Sequence, residues 1–443
     1  MTESMQLPEG VSRALTMLEE AGYEAFIVGG CVRDFLMGVP PKDYDITTSA
    51  LPEETKAVFR DYHVIETGIR HGTVTVMMDG NPLEITTYRT EGTYSDNRHP
   101  DSVSFTASLR EDVARRDFTM NAIAYSPTRG WIDHFGGAKD IQHGIIRCVG
   151  DPITRFQEDA LRMMRGIRFA SVLGFAIEAN TAAAIHENRE RIPTVSAERI
   201  QVELTKLLCG DNVKNVLMDW WDVIGTVIPE ILPMHGFDQK NPHHIYDVWE
   251  HTAVAVSQIP PEPHLRLCAL LHDIGKPTSF TVDEKGIGHF YGHPAVSERM
   301  TEEILARLKY DNATRRRVGT LVKQHDRIVE PKETAVKRAL SRLTPEVFFD
   351  LLAMKRADNL AQARQDRLKA YDEMESIARE ILDKQECISV SALAVNGNDL
   401  IAIGMKPGRE IGEMLTHLLD RVIRGRLEND RDVLLTYVKK KMR

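Results

Sequence analysis

Five cysteines are all that 443 residues carry, and they are scattered as Cys31, Cys148, Cys209, Cys268 and Cys387 with no C-x-x-C spacing. Such an odd, dispersed set argues against a disulfide framework and against a zinc ribbon, and it fits a reducing compartment. Long apolar runs are missing too. No stretch approaches the roughly 20 residues that a membrane helix requires, and the opening MTESMQLPEG is polar and slightly acidic rather than a signal peptide. The expectation is a cytoplasmic protein with no membrane partner. Nor is there an excess of positive charge: the net charge is −9, which excludes a uniformly basic nucleic-acid binder while leaving room for a local basic surface. One such surface is the end of the chain, where Ile401 to Arg443 holds ten Lys or Arg against six Asp or Glu and closes on YVKKKMR. Internal repeats and low-complexity segments are absent. With 42% hydrophobic and 27% charged residues, what is present is an ordinary globular composition, long enough for several domains.

Up to about residue 147 strand-like and helical runs alternate: EAFIVGG, CVRDFLMG, DYDITTS, PEETKAVFRDY. Two alternating runs then flank Asp79-Gly80-Asn81 in TVTVMMDGNPLEITTYR, a hairpin signal. After IIRCVGDP the period is helical nearly to the end, with breaks at IPEILP, NPHH, QIPPEPH, VNGND and MKPG. This predicts an α+β fold: a small head with a mixed sheet, followed by all-α segments.

In FIVGGCVRDFLMGVPPKDYDITTSA an apolar strand runs into Gly29-Gly30 and a helix starts at once. Paired glycines let the backbone approach a phosphate, and helix N–H groups with Arg33 one turn in can hold anionic oxygens. Asp43 and Asp45 flank Tyr44, so on a strand they share a face. Two carboxylates that close repel unless a cation lies between them, and magnesium is the natural one. Glu84, in PLEITTYR, offers a third carboxylate to a metal-assisted phosphoryl-transfer site.

Gly-Gly, Arg33-Asp34 and Asp43-x-Asp45 together resemble the signature of the polymerase-β-like nucleotidyltransferases, in the version carried by tRNA nucleotidyltransferases of the bacterial and eukaryotic class. Further matches follow in the family's order. RRDFTMNAIAY (Arg115 to Tyr125) is similar to its ribose- and phosphate-binding motif, DHFGGAKDI (Asp133 to Ile141) to its hinge between head and neck, and VNGNDLIAIGMKPGREIG (Val395 to Gly412) to its tail. The resemblance implies a polymerase-β-like head at 1–147, a helical neck for nucleotide selection and tRNA binding at 148–230, a helical body at 231–375 and a tRNA-binding tail at 376–443. It implies Asp43, Asp45 and Glu84 as catalytic residues, the two aspartates as magnesium ligands, and Gly30, Arg33, Arg116, Asp117 and Asn121 as nucleotide-binding residues.

EDALRMMRGIRFA, Glu158 to Ala170, reads as one helix and resembles the family's nucleotide-selecting helix. Ala160, Met163, Met164, Ile167 and Ala170 fall on one arc; Arg155, Glu158, Asp159, Arg162, Arg165 and Arg168 wind across the other. Cytosine and adenine share an edge with a donating amine beside an accepting ring nitrogen. A carboxylate only accepts and a guanidinium only donates, so Asp159 with Arg162 at i,i+3 would take C or A and leave both groups unpaired against U or G. Arg165 and Arg168, further round, suit the triphosphate. The polar, turn-rich segment Thr90 to Asp112 is expected to be a mobile lever; in the resembled family a flexible loop here serves the A step and is shortened in enzymes that add only CC, so its full length here implies complete C, C and A addition to the 3′ end and acceptor region of tRNA from CTP and ATP.

His251, His272-Asp273 in LLHDIGKP, His293, His325 and Asp358 follow the order of an HD-type metal phosphohydrolase. Imidazoles with carboxylates suit a transition metal or magnesium. The resemblance spans about residues 243 to 365 and implies His251, His272, Asp273 and Asp358 as core ligands, with His293 and His325 available to a second metal. Three other readings stand beside CCA addition: a poly(A) polymerase, an enzyme adding only CC or only A, and a protein whose main activity is the HD hydrolase. No signal in the sequence sets an oligomeric state.

Overall fold

The computed structural model describes residues 4–91, 103–241, 245–363 and 365–442. They form two compact units, Met1–Leu232 and Pro233–Arg443.

The first unit opens with helix α1 (Glu9–Glu20), whose Val11, Ala14, Leu15 and Leu18 are buried at helical spacing. Strand β1 (Ala25–Val28) is AFIV, buried at every position as a central strand should be. It turns through Gly29, at φ +86°, directly into α2 (Gly30–Leu36). Strand β2 (Asp45–Thr48), α3 (Pro52–Val58), β3 (Val64–Ile65), β4 (Thr73–Met78) and β5 (Asn81–Thr87) follow. The expected hairpin joins β4 to β5. Its two connecting residues, Asp79 at φ +51° and Gly80 at φ +81°, have the left-handed backbone of a tight two-residue turn. β4 alternates half-buried with buried, placing Val74, Val76 and Met78 in the core. A second hairpin pairs β6 (Arg89–Glu91) with β7 (Val103–Phe105). Residues 92–102 of the expected lever segment lie outside the described residues, as do residues 242–244 of the NPHH break.

Helix α4 (Leu109–Ala114) leads to β8 (Ile123–Ser126), β9 (Gly130–Asp133) and α5 (Gly137–His143). Seven strands make one mixed sheet in the order β3-β4-β5-β2-β1-β8-β9, with β2 and β5 parallel and the other neighbours antiparallel. At the start of α5, Asp133 accepts the N–H groups of Gly137 and Ala138, each at 2.9 Å. A Cβ on Gly137 would lie 2.1 Å from the Thr119 carbonyl oxygen, so this contact of two backbones requires glycine.

Helices α6 (Pro152–Glu158), α7 (Leu161–Leu173), α8 (Ala179–Asn188), α9 (Ala197–Leu208), α10 (Val213–Asp219) and α11 (Trp221–Val227) complete the unit. This part is not purely helical: β10 (Ile145–Ile146) and β11 (Ala176–Ile177) form a short parallel pair.

The second unit is built on α12 (Val248–Gln258), α13 (Pro263–Leu271), α14 (His293–Arg307), α15 (Asn312–Gln324), α16 (Glu333–Leu343), α17 (Pro345–Leu360) and α18 (Leu368–Asp383). One small hairpin, β12 (Thr281–Val282) with β13 (Gly288–His289), interrupts the helices that the sequence led us to expect throughout. At the end of the chain α19 (Gly397–Ala402), α20 (Arg409–Ile423) and α21 (Arg431–Met442) close around Leu400, Leu418, Leu419, Leu434 and Val438.

Candidate active sites

The head site is built where β1, β2 and β5 lie side by side. Asp45 is opposite Val28 on one neighbour and in register with Glu84 on the other. In a parallel pair, residues in register project to the same face, so the two carboxylates stand together. Asp43 does not share their strand. It lies two residues ahead of β2, so its proximity comes from the approach of the chain and not from strand alternation. Desolvation raises the pKa of Asp45 above its ordinary value, and the charges of Glu84 and Asp43 push the same way against the pull of Arg116. The like charges that meet at Asp45 would be relieved by a cation.

Arg116 occupies the space a side chain at Gly29 would take: a Cβ there would be 3.0 Å from its Nη1 and 3.8 Å from Asp45 Oδ2. Its Nε is buried without a hydrogen-bond partner among the described residues. Burial lowers its pKa while Asp112 and Asp45 oppose the fall. A guanidinium with a buried, unpaired Nε beside carboxylates is suited to an incoming anion.

The next residues form a continuous polar chain. Arg33 donates to Asp34 at 2.6 Å and to Asn121 Oδ1 at 2.9 Å. Asn121 donates to Asp117 at 3.1 Å, and Asp117 also accepts from the Phe118 N–H at 2.8 Å and from Arg165 Nε at 2.7 Å. Burial alone would raise the Asp117 pKa, but Arg165 and these donors bring it down to about 2. Gly30 begins α2 beside Arg33, whose Nη2 would be 3.6 Å from a Cβ there.

The expected single helix from Glu158 to Ala170 is broken. α6 ends at Glu158, Asp159 is extended at φ −142° and ψ 104°, and α7 begins at Leu161. The reason is local: Asp159 accepts the Leu161 N–H at 3.0 Å, a side-chain bond that competes with continuing the helix. Asp159 and Arg162 are therefore not neighbours at 60° on one helix face. Arg162, expected to face a base, is only 8% exposed. It donates to Glu158 at 2.6 Å and to the carbonyls of Arg155 and Arg115 at 3.2 and 3.0 Å.

Two residues on α9 that the sequence reading passed over complete this face. Arg199 pairs with Asp159 at 2.7 Å, and Glu203, one turn later, accepts from Arg168 at 2.9 Å. Arg165 Nη1 is 3.9 Å from the same Glu203. Arg168 lies over the Phe169 ring at 3.6 Å, with Arg33 and Arg165 at 5.1 and 5.6 Å. The i,i+4 spacing of Arg199 and Glu203 was a visible signal for one charged helix face; what it faces was not.

In the second unit six residues from five helices or their ends converge. His251 comes from α12, His272 and Asp273 from the end of α13, His293 from the first position of α14, His325 from the end of α15 and Asp358 from α17. His251 Nε2 is 3.0 Å from Asp358 and 3.5 Å from Asp273, and His272 Nε2 is 3.2 Å from Asp273. On the other carboxylate oxygen of Asp273 lie His293 at 3.3 Å and His325 at 3.6 Å.

Each imidazole turns Nδ1 to a backbone carbonyl: Ala361 for His251 at 3.2 Å, Ala269 for His272 at 2.8 Å, Phe290 for His293 at 2.9 Å and Val322 for His325 at 2.6 Å. A carbonyl only accepts, so each Nδ1 carries a proton, and each Nε2 points inward, towards the carboxylates of Asp273 and Asp358 and towards another ring. Yet His272 and His251 meet Nε2 to Nε2 at 3.4 Å, and His293 and His325 at 3.2 Å. Facing lone pairs repel, and bridging protons would put positive charge on buried rings. Cations among the Nε2 atoms satisfy all four, and Asp273 is common to both groups of possible ligands. Burial opposes its ionisation, but His272 and Lys276 hold the Asp273 pKa well below the usual carboxylate range. The charge on Asp358 is favoured in the same way by His251 and His272, again against burial.

Among the described residues no helix is long and apolar enough to cross a membrane. Comparison with known families matches residues 25–147 to the poly A polymerase head domain, 174–223 to a probable RNA and SrmB-binding site of polymerase A, and 280–438 to a putative tRNA nucleotidyltransferase domain 2. The CCA-adding enzyme of Limosilactobacillus reuteri is 36% identical, with 98% of this chain and 97% of that protein aligned. That of Ligilactobacillus salivarius is 34% identical over the same shares. The crystal structure of the Bacillus stearothermophilus CCA-adding enzyme in complex with CTP superimposes with a TM-score of 0.73 at 31% identity, covering 99% of this chain and 98% of that one. With a head sheet that brings Asp45 beside Glu84, and with likeness of this extent along almost its whole length, the chain belongs to the family of CCA-adding enzymes.

Proposed function

We propose that Asp43, Asp45 and Glu84 hold magnesium at the head site, where this chain adds C, C and A to the 3′ end of tRNA from CTP and ATP. In each addition the terminal hydroxyl oxygen of the RNA bonds to the α-phosphorus of the nucleotide. The bond to pyrophosphate breaks and the hydroxyl proton is released. Magnesium bound there would make the hydroxyl more acidic and neutralise the triphosphate. The chain's own part is positional. Arg116, dry and unpaired at Nε, receives the triphosphate, and Arg33 with Asn121 borders it. Asp159 reads the base edge, where a nucleotide's amine competes with Arg199 for it, while buried Arg162 braces Glu158 and the carbonyls of Arg155 and Arg115 behind that site. Arg165 and Arg168, tied to Asp117 and Glu203, line the triphosphate side. Residues 148–230 and the basic tail from 376 on contact the tRNA, and the free cysteines fit a cytoplasmic setting. The observation that carries this reading is Asp45 in register with Glu84 beside Arg116, whose buried Nε has no partner among the described residues.

The test is purified protein with tRNA lacking its last three nucleotides, supplied with CTP, ATP or both. Asp45→Asn should abolish incorporation of both nucleotides while leaving the circular dichroism spectrum unchanged. Near-normal incorporation by that variant would overturn the assignment.

A second activity rests on the four inward Nε2 atoms and the two carboxylates among them. His251, His272, Asp273 and Asp358, with His293 and His325, bind a transition metal or magnesium and form an HD-type phosphohydrolase site. A bound metal would supply hydroxide near neutral pH. Removing a blocking phosphate from a tRNA end would restore the hydroxyl that the head extends.

A further inference from the structure

Asp112, in α4 and four residues ahead of Arg116, is a carboxylate with no solvent exposure, and the reaction as described above gives it no part. Its two oxygens hold three elements together. Oδ2 accepts the Thr47 hydroxyl at 2.9 Å. Thr47 follows Asp45 by two residues on β2, so the two side chains share a face of the sheet. Oδ1 accepts Nε and Nη2 of Arg115 at 3.0 and 2.9 Å, and also the backbone N–H of Arg89, the first residue of β6, at 3.2 Å. The segment that leads to Arg116 is fastened on its other side as well: Arg155 donates to the Ala114 carbonyl at 3.3 Å and Arg162 to the Arg115 carbonyl at 3.0 Å. Arg116 thus leaves a backbone fixed from two directions, one of them the strand that carries Asp45.

The guanidinium of Arg116 lies between carboxylates. Burial lowers its pKa, and among the acids that oppose this Asp112 acts most strongly, ahead of Asp45 and Asp117. Nη1 of Arg116 and Oδ2 of Asp45 flank one point above Gly29, at 3.0 and 3.8 Å from a Cβ placed there. With the charge of Asp112 removed, Asp45 would exert the strongest remaining pull on this guanidinium. An Arg116 drawn onto Asp45 no longer offers its donors to an anion.

We propose that Asp112 is a positioning residue for nucleotide binding: it holds the guanidinium of Arg116 off Asp45, so that Arg116 stays open to the triphosphate. This inference rests on the reading of Arg116 as the receiver of the triphosphate. Because Asp112 acts through Arg116 on phosphate alone, it serves CTP and ATP equally. A ligand with no base at all, inorganic pyrophosphate, depends on it to the same degree.

The test measures calorimetric binding of CTP and of inorganic pyrophosphate to the full chain, with KM and kcat for CTP and ATP in addition to tRNA. Asp112→Asn removes the charge and keeps the volume. It should weaken binding of both ligands and raise KM for both nucleotides by one common factor of about ten, with kcat and the choice of base unchanged. In an Arg116→Ala background the same substitution should change nothing further, since a group that acts through Arg116 then has nothing to act on. Thr47→Val, which takes away only the hydroxyl on Oδ2, should give the same pattern at smaller size, and it decides the matter if Asp112→Asn leaves Arg115 unpaired and fails to fold. Unchanged binding, effects that add in the double variant, or a loss of CTP binding with pyrophosphate binding intact overturn the role of Asp112. If Arg116→Ala binds both ligands as the parent protein does, the triphosphate reading of Arg116 itself fails, and this inference falls with it.

Discussion

Replacing Asp117 by Asn keeps the shape of the side chain and removes its charge, at the point where the head motif meets α7. Asp117 is 8% exposed and accepts from Arg165, Asn121 and the Phe118 N–H. A carboxyl drawn from 3.8 to about 2 has its charged form favoured in the folded state by about 2.5 kcal/mol. Because the folded pKa is the lower one, this contribution is complete above the unfolded value near 3.8 and is lost as pH falls through about 2. Denaturant unfolding followed by circular dichroism should therefore show Asp117→Asn less stable at pH 7 by about 2 to 3 kcal/mol. The gap should stay constant down to about pH 4 and narrow below it. Arg165 loses its anchor in the same variant, so KM for CTP and ATP should rise together with base choice unchanged. Equal stability at pH 7, or a gap that widens on acidification, would refute the reasoning.

Two further outcomes follow from the geometry. Asp159→Ala removes the acceptor proposed for the base amine, so UTP or GTP should be incorporated alongside CTP and ATP at a reduced rate; a slower enzyme with unaltered selectivity would count against base reading by this residue. His272→Ala takes one Nε2 from the cluster in the second unit, and elemental analysis should find less bound transition metal and phosphoester hydrolysis should vanish, while CCA addition to tRNA proceeds as before; loss of thermal stability alone would mark the cluster as structural.

Much of the head was legible because its signals are local. An apolar run ending in Gly29-Gly30, and alternation broken at Asp79-Gly80, dictate strand, helix start and tight turn through backbone sterics and side-chain period alone. The cluster of the second unit was legible too, since adjacent His272-Asp273 after an apolar run singled out side chains that the structure brings together. The arginine face was half legible: its period was right for Leu161 onward, but the side chain of Asp159 captured the Leu161 N–H and broke the helix there. From a one-dimensional pattern that competition cannot be weighed against one more turn of helix.

The sequence by itself determined which residue types are available: three carboxylates for a cation, arginines for phosphate, imidazoles for a metal. Tertiary structure decided their partners, because pairing depends on which elements pack together. The parallel register of β2 with β5 set Glu84 beside Asp45 across 39 residues of chain. The packing of α9 gave Asp159 to Arg199 and Arg168 to Glu203. Only the convergence of five helices turned four separate histidines into a ring of inward Nε2 atoms around two carboxylates, an arrangement that no stretch of the sequence contains.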